Sequence, residues 1–253
     1  MKSNRLQGEV AVITGAGSGL DQGVAVMFAD NGCTVAVADI NRDNGEKTVE
    51  MCKAVGGNAF FVEMNIGSTE SVNKAMQEVY DRTGKISILI NGAAISRFHQ
   101  LEECPDEEWD LMINIDLTGT FRTMRAAFPF LKENGGGRIV NISSTSGKSG
   151  GGWSGAHYVA AKAGVIGLAR YAAKEWAKYG ILANAICPGV ADTPLTADAD
   201  KNKTDAMLRA IPLGRKAVPE DIAGVALFLC SEEGSYVTGI TVDVTGGRYI
   251  YNN

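Results

Sequence analysis

A tyrosine and a lysine four residues apart, in Tyr158-Val159-Ala160-Ala161-Lys162, form the pair best suited to proton chemistry. Residues i and i+4 share one helix face, so a phenol and an ammonium can enter the same cleft. A free tyrosine titrates near ~10, and a neighbouring cation favours its phenolate. Such a pair can give and take a proton near neutral pH. The spacing alone is common, and an exposed Tyr and Lys on an amphipathic helix explain it equally well. Ser143-Ser144 closes an apolar run, Arg138–Ser143. A hydroxyl at a strand end can hydrogen-bond a carbonyl oxygen, although serine there is also an ordinary turn former.

Two further features point to a ligand. The turn Thr14-Gly15-Ala16-Gly17-Ser18-Gly19-Leu20-Asp21 follows the first apolar run. Its glycines permit a sharp turn and bring amide N–H groups and a helix N-terminus against a pyrophosphate. The strict G-x-G-x-x-G pattern fails, because Leu20 stands at its third glycine, and a plain tight turn is the competing reading. Asp39 closes the second run 20 residues after Gly19. An acid at that place hydrogen-bonds ribose hydroxyls and repels a 2′-phosphate. Neither Ser18 nor Ile40 supplies a cation for such a phosphate, so NAD is preferred over NADP.

The elements that must position these residues alternate. Strands are expected at Val10–Thr14, Thr34–Asp39, Ala59–Met64, Ile86–Asn91, Arg138–Ser143, Ile181–Cys187 and Ile240–Val244. Helices are expected at Gly19–Asn31, Arg42–Val55, Ser68–Arg82, Asp106–Lys132, Ala156–Tyr179 and Pro219–Cys230. Near-continuous apolar strands alternating with helices predict an α/β fold, a parallel sheet of seven strands covered on both faces. With no Pro/Ser-rich linker, 1–253 reads as a single doubly wound domain, with a polar flap at about 190–214. In such sheets ligands sit beyond the strands' carboxyl ends, where the strand order reverses.

Composition removes other classes. A net charge of −5 gives no basic footprint for nucleic acid or anionic membrane. Apolar stretches such as Val225–Cys230 are far shorter than the ~20 residues of a membrane span. Residues 1–8 are polar, with no signal-peptide core. The 5 cysteines are scattered without C-x-x-C, and there are only 2 histidines. Reduced thiols, a cytoplasmic location and no metal are therefore expected. His157, turned about 100° from Tyr158 on the helix, and Cys187 read as structural, whereas Trp153 reads as a pocket residue or a loop anchor.

The conjunction of these motifs over Val10 to Gly247 resembles the short-chain dehydrogenase/reductase family, in its single-domain branch. Asn91-Gly92-Ala93-Ala94, Cys187-Pro188-Gly189 with Thr193, and Asp243-Val244-Thr245-Gly246-Gly247 carry the resemblance further. It implies a Rossmann fold and an NAD(H)-dependent oxidoreductase acting on a small alcohol or ketone. Tyr158 would be the acid/base, Lys162 would assist it and hold the nicotinamide ribose, and Ser144 would hold the substrate oxygen. Asp116 would stand at the family's catalytic-site asparagine. The implied cofactor contacts are Gly15, Gly17, Ser18, Gly19, Leu20, Asp39, Ile40, Asn65, Ile66, Asn91, Gly92, Ala93, Tyr158, Lys162, Pro188, Gly189, Val190 and Thr193. Family analogy also implies a homotetramer or homodimer built on Asp106–Lys132 and Ala156–Tyr179.

Four departures accompany the resemblance. Asp21 replaces a glycine and is expected to oppose a pyrophosphate by about 1–4 kcal/mol at ~4 Å. Asn-Asn-Ala-Gly is replaced by Asn91-Gly92-Ala93-Ala94, and an asparagine by Asp116. Ser144 to Tyr158 spans 14 residues, one more than usual, which Gly150–Gly152 can absorb. The alternative to catalysis is a nucleotide-binding homologue, a sensor or scaffold with little turnover, motivated by Asp21 and Asp116.

Overall fold

Strands without polar alternation build a sheet that is covered on both faces. In the computed structural model, which describes residues 4–151, 154–192 and 208–249, seven strands are present. They are β1 Val10–Thr14, β2 Thr34–Asp39, β3 Asn58–Glu63, β4 Ile88–Asn91, β5 Gly137–Ile142, β6 Ile181–Pro188 and β7 Thr241–Val244. Their order is β3-β2-β1-β4-β5-β6-β7, and every pairing is parallel. The order reverses between β1 and β4. Thr14 is in register with Ala38 on one side and Asn91 on the other, so three strand ends open on one crevice.

The two-residue period of the strands divides the core into two layers. Ala11, Ile13, Val35, Val37, Ile88 and Ile90 face one layer, packed on Val24 and Phe28 of helix α1 (Gly19–Asp30). That layer also holds Val49 of α2 (Arg42–Ala54). Val10, Val12, Ala36 and Leu89 face the other. It contains Val72 and Met76 of α3 (Thr69–Thr83). Burying each such large side chain stabilises the fold by about 1.5–3 kcal/mol. Asn41 and Ser68 cap α2 and α3 through their side-chain oxygens, satisfying amides that a helix start leaves open.

The long helix expected over Asp106–Lys132 is three pieces. Helix α4 (Asp106–Met112) runs into a π-helical turn, Ile113–Gly119, and then into α5 (Thr120–Glu133). A π turn accommodates one extra residue, and such turns frequently lie at functional sites. After β5 comes a short helix, α6 (Ser146–Ser149), then α7 (Ala156–Trp176); α8 (Pro219–Cys230) precedes β7. No helix among the described residues is long and apolar enough to cross a membrane. All five cysteines are free thiols.

Candidate active site

The crevice at the strand ends is a cleft of about 930 Å³. At its β1 side, Gly15 has φ +72°, and a Cβ there would stand 2.7 Å from the Ala93 backbone. The β1 turn and the β4 end therefore approach as closely as glycine permits. Thr14, which sequence reasoning passed over, ties them: its Oγ1 accepts from Gly92 N at 3.1 Å and Ala93 N at 3.2 Å. A threonine directly before a glycine turn was the available signal.

Asp39 stands at the end of β2. Its Oδ2 accepts from Gly17 N at 2.9 Å and its Oδ1 from Asn41 N at 2.8 Å. A Cβ on Gly17 would lie 2.7 Å from Asp39 Oδ2. Asp39 thus fixes the glycine turn as well as lining the cleft, and each carboxylate oxygen keeps a lone pair for a ribose hydroxyl. Ile40 beside it is exposed. Arg42 is engaged with Glu46 at 3.6 Å, Glu63 at 3.7 Å and the Phe61 ring at 4.7 Å.

The proton-transfer candidates meet on the opposite wall. Ser144 follows β5, and Tyr158 and Lys162 lie on α7; all three line the cleft with Gly15, Ser18, Gly19, Leu20 and Asp39. Lys162 is 3% exposed, donates from Nζ to Ile142 O at 3.0 Å, and sits 5.5 Å from the Tyr158 ring centre. Ser143, adjoining Ser144, donates to Lys162 O at 2.7 Å and pins the start of α7 to the sheet. Asn65, Ile66, Gly92, Ala93, Pro188, Gly189 and Val190 also line the cleft. The residues fit a dinucleotide: a glycine turn at a helix N-terminus, a strand-end acid, and an open cleft between them and the Tyr158 wall.

Other expected members stand elsewhere. Asn91 does not line the cleft; its Nδ2 donates to Asn141 Oδ1 at 2.9 Å and its Oδ1 accepts from Thr123 at 2.6 Å, inside the core. Gly17 lies behind the Asp39 carboxylate. Asp116 is fully buried behind the cleft, where its Oδ1 accepts from Ile95 N at 2.9 Å. Burial raises its carboxyl above the usual range against the opposing pull of the Lys162 cation. Asp116 thus holds the Ile95 loop, with its charge felt by the Lys162 cation. Thr193, Trp153 and residues 193–207 of the expected flap lie outside the described residues.

Asp21, expected to oppose a pyrophosphate, lines the same cleft. It is 7% exposed, with its carboxyl turned onto Gly92. Burial pushes that carboxyl up to about 7, although the Lys162 charge pulls it down.

Glu108 of α4 is a hub that sequence reasoning missed. Its Oε1 lies 3.1 Å from His157 Nε2 and 3.3 Å from His99 Nε2, and its Oε2 lies 3.2 Å from Arg97. His157 is buried and accepts the Tyr158 N–H on Nδ1 at 2.8 Å, which leaves Nε2 to donate to Glu108. Cys104, Glu108 and His157 bring donor atoms within 4.8 Å of one another, but Arg97 and both histidines already occupy the carboxylate. The hub ties the loop that lines the cleft through Ser96 and Phe98 to the start of α7. Glu108→Ala should lower the midpoint of thermal unfolding by about 3–8 °C, since a buried donor left unpaired costs about 1–3 kcal/mol. An unchanged midpoint in calorimetry would show that the hub carries no stability.

Comparison with known proteins agrees with this geometry. A family model described as enoyl-(acyl carrier protein) reductase matches residues 15–248. The chain belongs to the short-chain dehydrogenases/reductases. It is 37% identical to the 3-oxoacyl-[acyl-carrier-protein] reductase of Thermotoga maritima, over 97% of this chain and 100% of that one. It is 36% identical to the human (3R)-3-hydroxyacyl-CoA dehydrogenase, over 98% of each. The crystal structure of gox2181 superposes with a TM-score of 0.94 at 33% identity, covering 99% of both chains. As a short-chain dehydrogenase/reductase the protein is an oxidoreductase of a family that uses nicotinamide cofactors.

Proposed function

We propose that this protein interconverts a secondary alcohol and a ketone with NAD(H), Tyr158 serving as acid and base. The observation that carries this is the convergence of Ser144, Tyr158 and Lys162 on the cleft that also holds the glycine turn and Asp39. NAD(H), when bound, supplies or accepts the hydride. The turn from Gly15 to Leu20 and the N-terminus of α1 hold the pyrophosphate. Asp39 holds the adenosine ribose, and Asn65 and Ile66 flank the adenine. Gly92, Ala93 and Pro188 to Val190 border the nicotinamide end. Tyr158 Oη gives its proton to the ketone oxygen during reduction and takes it from the hydroxyl during oxidation. Ser144 holds that oxygen, while the Lys162 cation holds the nicotinamide ribose and stabilises the phenolate.

The relatives' names make 3-oxoacyl and 3-hydroxyacyl thioesters the first substrates to screen. Oxidation of NADH by a 3-oxoacyl thioester, followed at 340 nm, tests the reading; NADH binding without turnover on any ketone of a broad panel would favour the sensor.

We also propose that 1–253 works as one domain in a cytoplasmic homotetramer or homodimer. Trp109 and Leu111 of α4, Phe121 of α5 and Tyr171 of α7 are exposed on the helices concerned, with Tyr171 at 66%. Light scattering should give two or four times the chain mass of 26.7 kDa. A monomer at micromolar concentration would remove the assembly.

A further inference from the structure

Asp21 and Gly92 lie 71 positions apart in sequence and share one small space. A Cβ on Gly92 would land on the Asp21 carboxyl, with the two carboxyl oxygens and Cγ as its three nearest atoms. A larger residue at 92 would have to displace the Asp21 carboxyl from its place. Conversely, glycine at 21 would leave a hole beside Gly92, between the N-terminal turn of α1 and the end of β4. Both residues line the cleft. Asp21 Oδ1 is buried and has no hydrogen-bond partner among the described residues.

We propose that Asp21 and Gly92 are one reciprocal exchange, and that the Asp21 carboxyl is the positioning group of this edge of the cleft. It stands where a side chain on residue 92 would stand. The carboxyl enters the ligand-bound state protonated, so an anionic dinucleotide binds together with a proton. This second part rests on the dinucleotide reading above.

The charged groups facing Asp21 are Lys162 from α7, which favours its ionised form, and Asp39 from β2, which opposes it. Asp116 competes for the same Lys162 cation. Burial outweighs Lys162 and holds the carboxyl near neutrality at about 7. An ionised Asp21 would add a negative charge beside a pyrophosphate, whereas the neutral acid offers a donor.

The test is a set of four variants: Asp21→Asn, Asp21→Gly, Gly92→Asn and the double Asp21→Gly/Gly92→Asn. Thermal unfolding and NADH titration are followed from pH 6 to 8.5. Gly92→Asn alone should lower the unfolding midpoint by several degrees, and the double variant should recover most of that loss. NADH affinity of the wild type should fall several-fold between pH 6.5 and 8.5, while Asp21→Asn should bind with a flat profile over that range.

Stability gives a second readout. The folded-state carboxyl binds its proton more tightly than the unfolded one, so stability falls as pH rises from about 4 to 7. Asp21→Asn should therefore match the wild type near pH 4.5 and melt several degrees higher at pH 8. This isosteric variant keeps the question open to measurement even if Gly92→Asn does not fold.

Additive effects of the two single substitutions would overturn the exchange. A pH slope of NADH binding retained in Asp21→Asn would overturn the protonation. If no variant binds NADH or NADPH at any pH while the unfolding midpoints remain coupled, the exchange stands and the dinucleotide reading falls.

Discussion

Tyr158→Phe should lower kcat by about 10²–10⁴-fold, the range supplied by a positioned acid or base, and leave NADH affinity within about twofold. The substitution removes one oxygen from a ring that is 8% exposed. The Lys162 to Ile142 hydrogen bond that orients the neighbouring cation does not involve that oxygen. A kcat within tenfold of the wild type, measured at saturating cofactor and ketone, would remove Tyr158 from its assigned role.

Asp39→Ala should narrow the preference for NADH over NADPH by roughly fivefold to a thousandfold. Two unit charges ~4 Å apart repel by about 1–4 kcal/mol between aqueous and near-surface dielectrics. The carboxylate also receives Gly17 N and Asn41 N. Its loss therefore loosens the glycine turn and weakens both dinucleotides together. The ratio of the two dissociation constants separates charge from scaffolding, because only NADPH carries the 2′-phosphate. An unchanged ratio would mean that the ribose is held by another group.

Much of the scaffold was legible in the sequence because most strands are short apolar runs, and helices α1, α2 and α3 start beside Ser18, Asn41 and Ser68. Val10–Thr14, Thr34–Asp39 and Pro219–Cys230 were expected with the bounds they have. The π turn at Ile113–Gly119 was not, since one extra residue in a helical ladder leaves the apolar pattern nearly unchanged. That turn carries Asp116, which the family resemblance alone placed in the catalytic set, inward to Ile95.

The inward side chain of Asn91 did have a signal. Strand residues alternate faces, and Asn91 shares its face with Leu89, which packs into the layer containing Met124 of α5. Asp21 and Gly92 were each visible as departures from the family pattern. Their partnership was not, because it depends on β1 and β4 lying side by side across the switch point. Glu108 was invisible for a similar reason: Arg97, His99 and His157 converge on it only after α7 docks against α4.

The central claim is that the cleft at the β1–β4 switch point takes a reduced nicotinamide dinucleotide, with the phosphate-free ribose preferred. Fluorescence titration of the wild-type protein with NADH and NADPH, side by side at pH 6.5, tests it most directly. The account predicts saturable micromolar binding of NADH, at least about fivefold tighter than NADPH, as the charge repulsion at Asp39 requires. Equal or tighter NADPH binding would contradict the role of Asp39, and binding of neither at millimolar concentration would contradict the site itself.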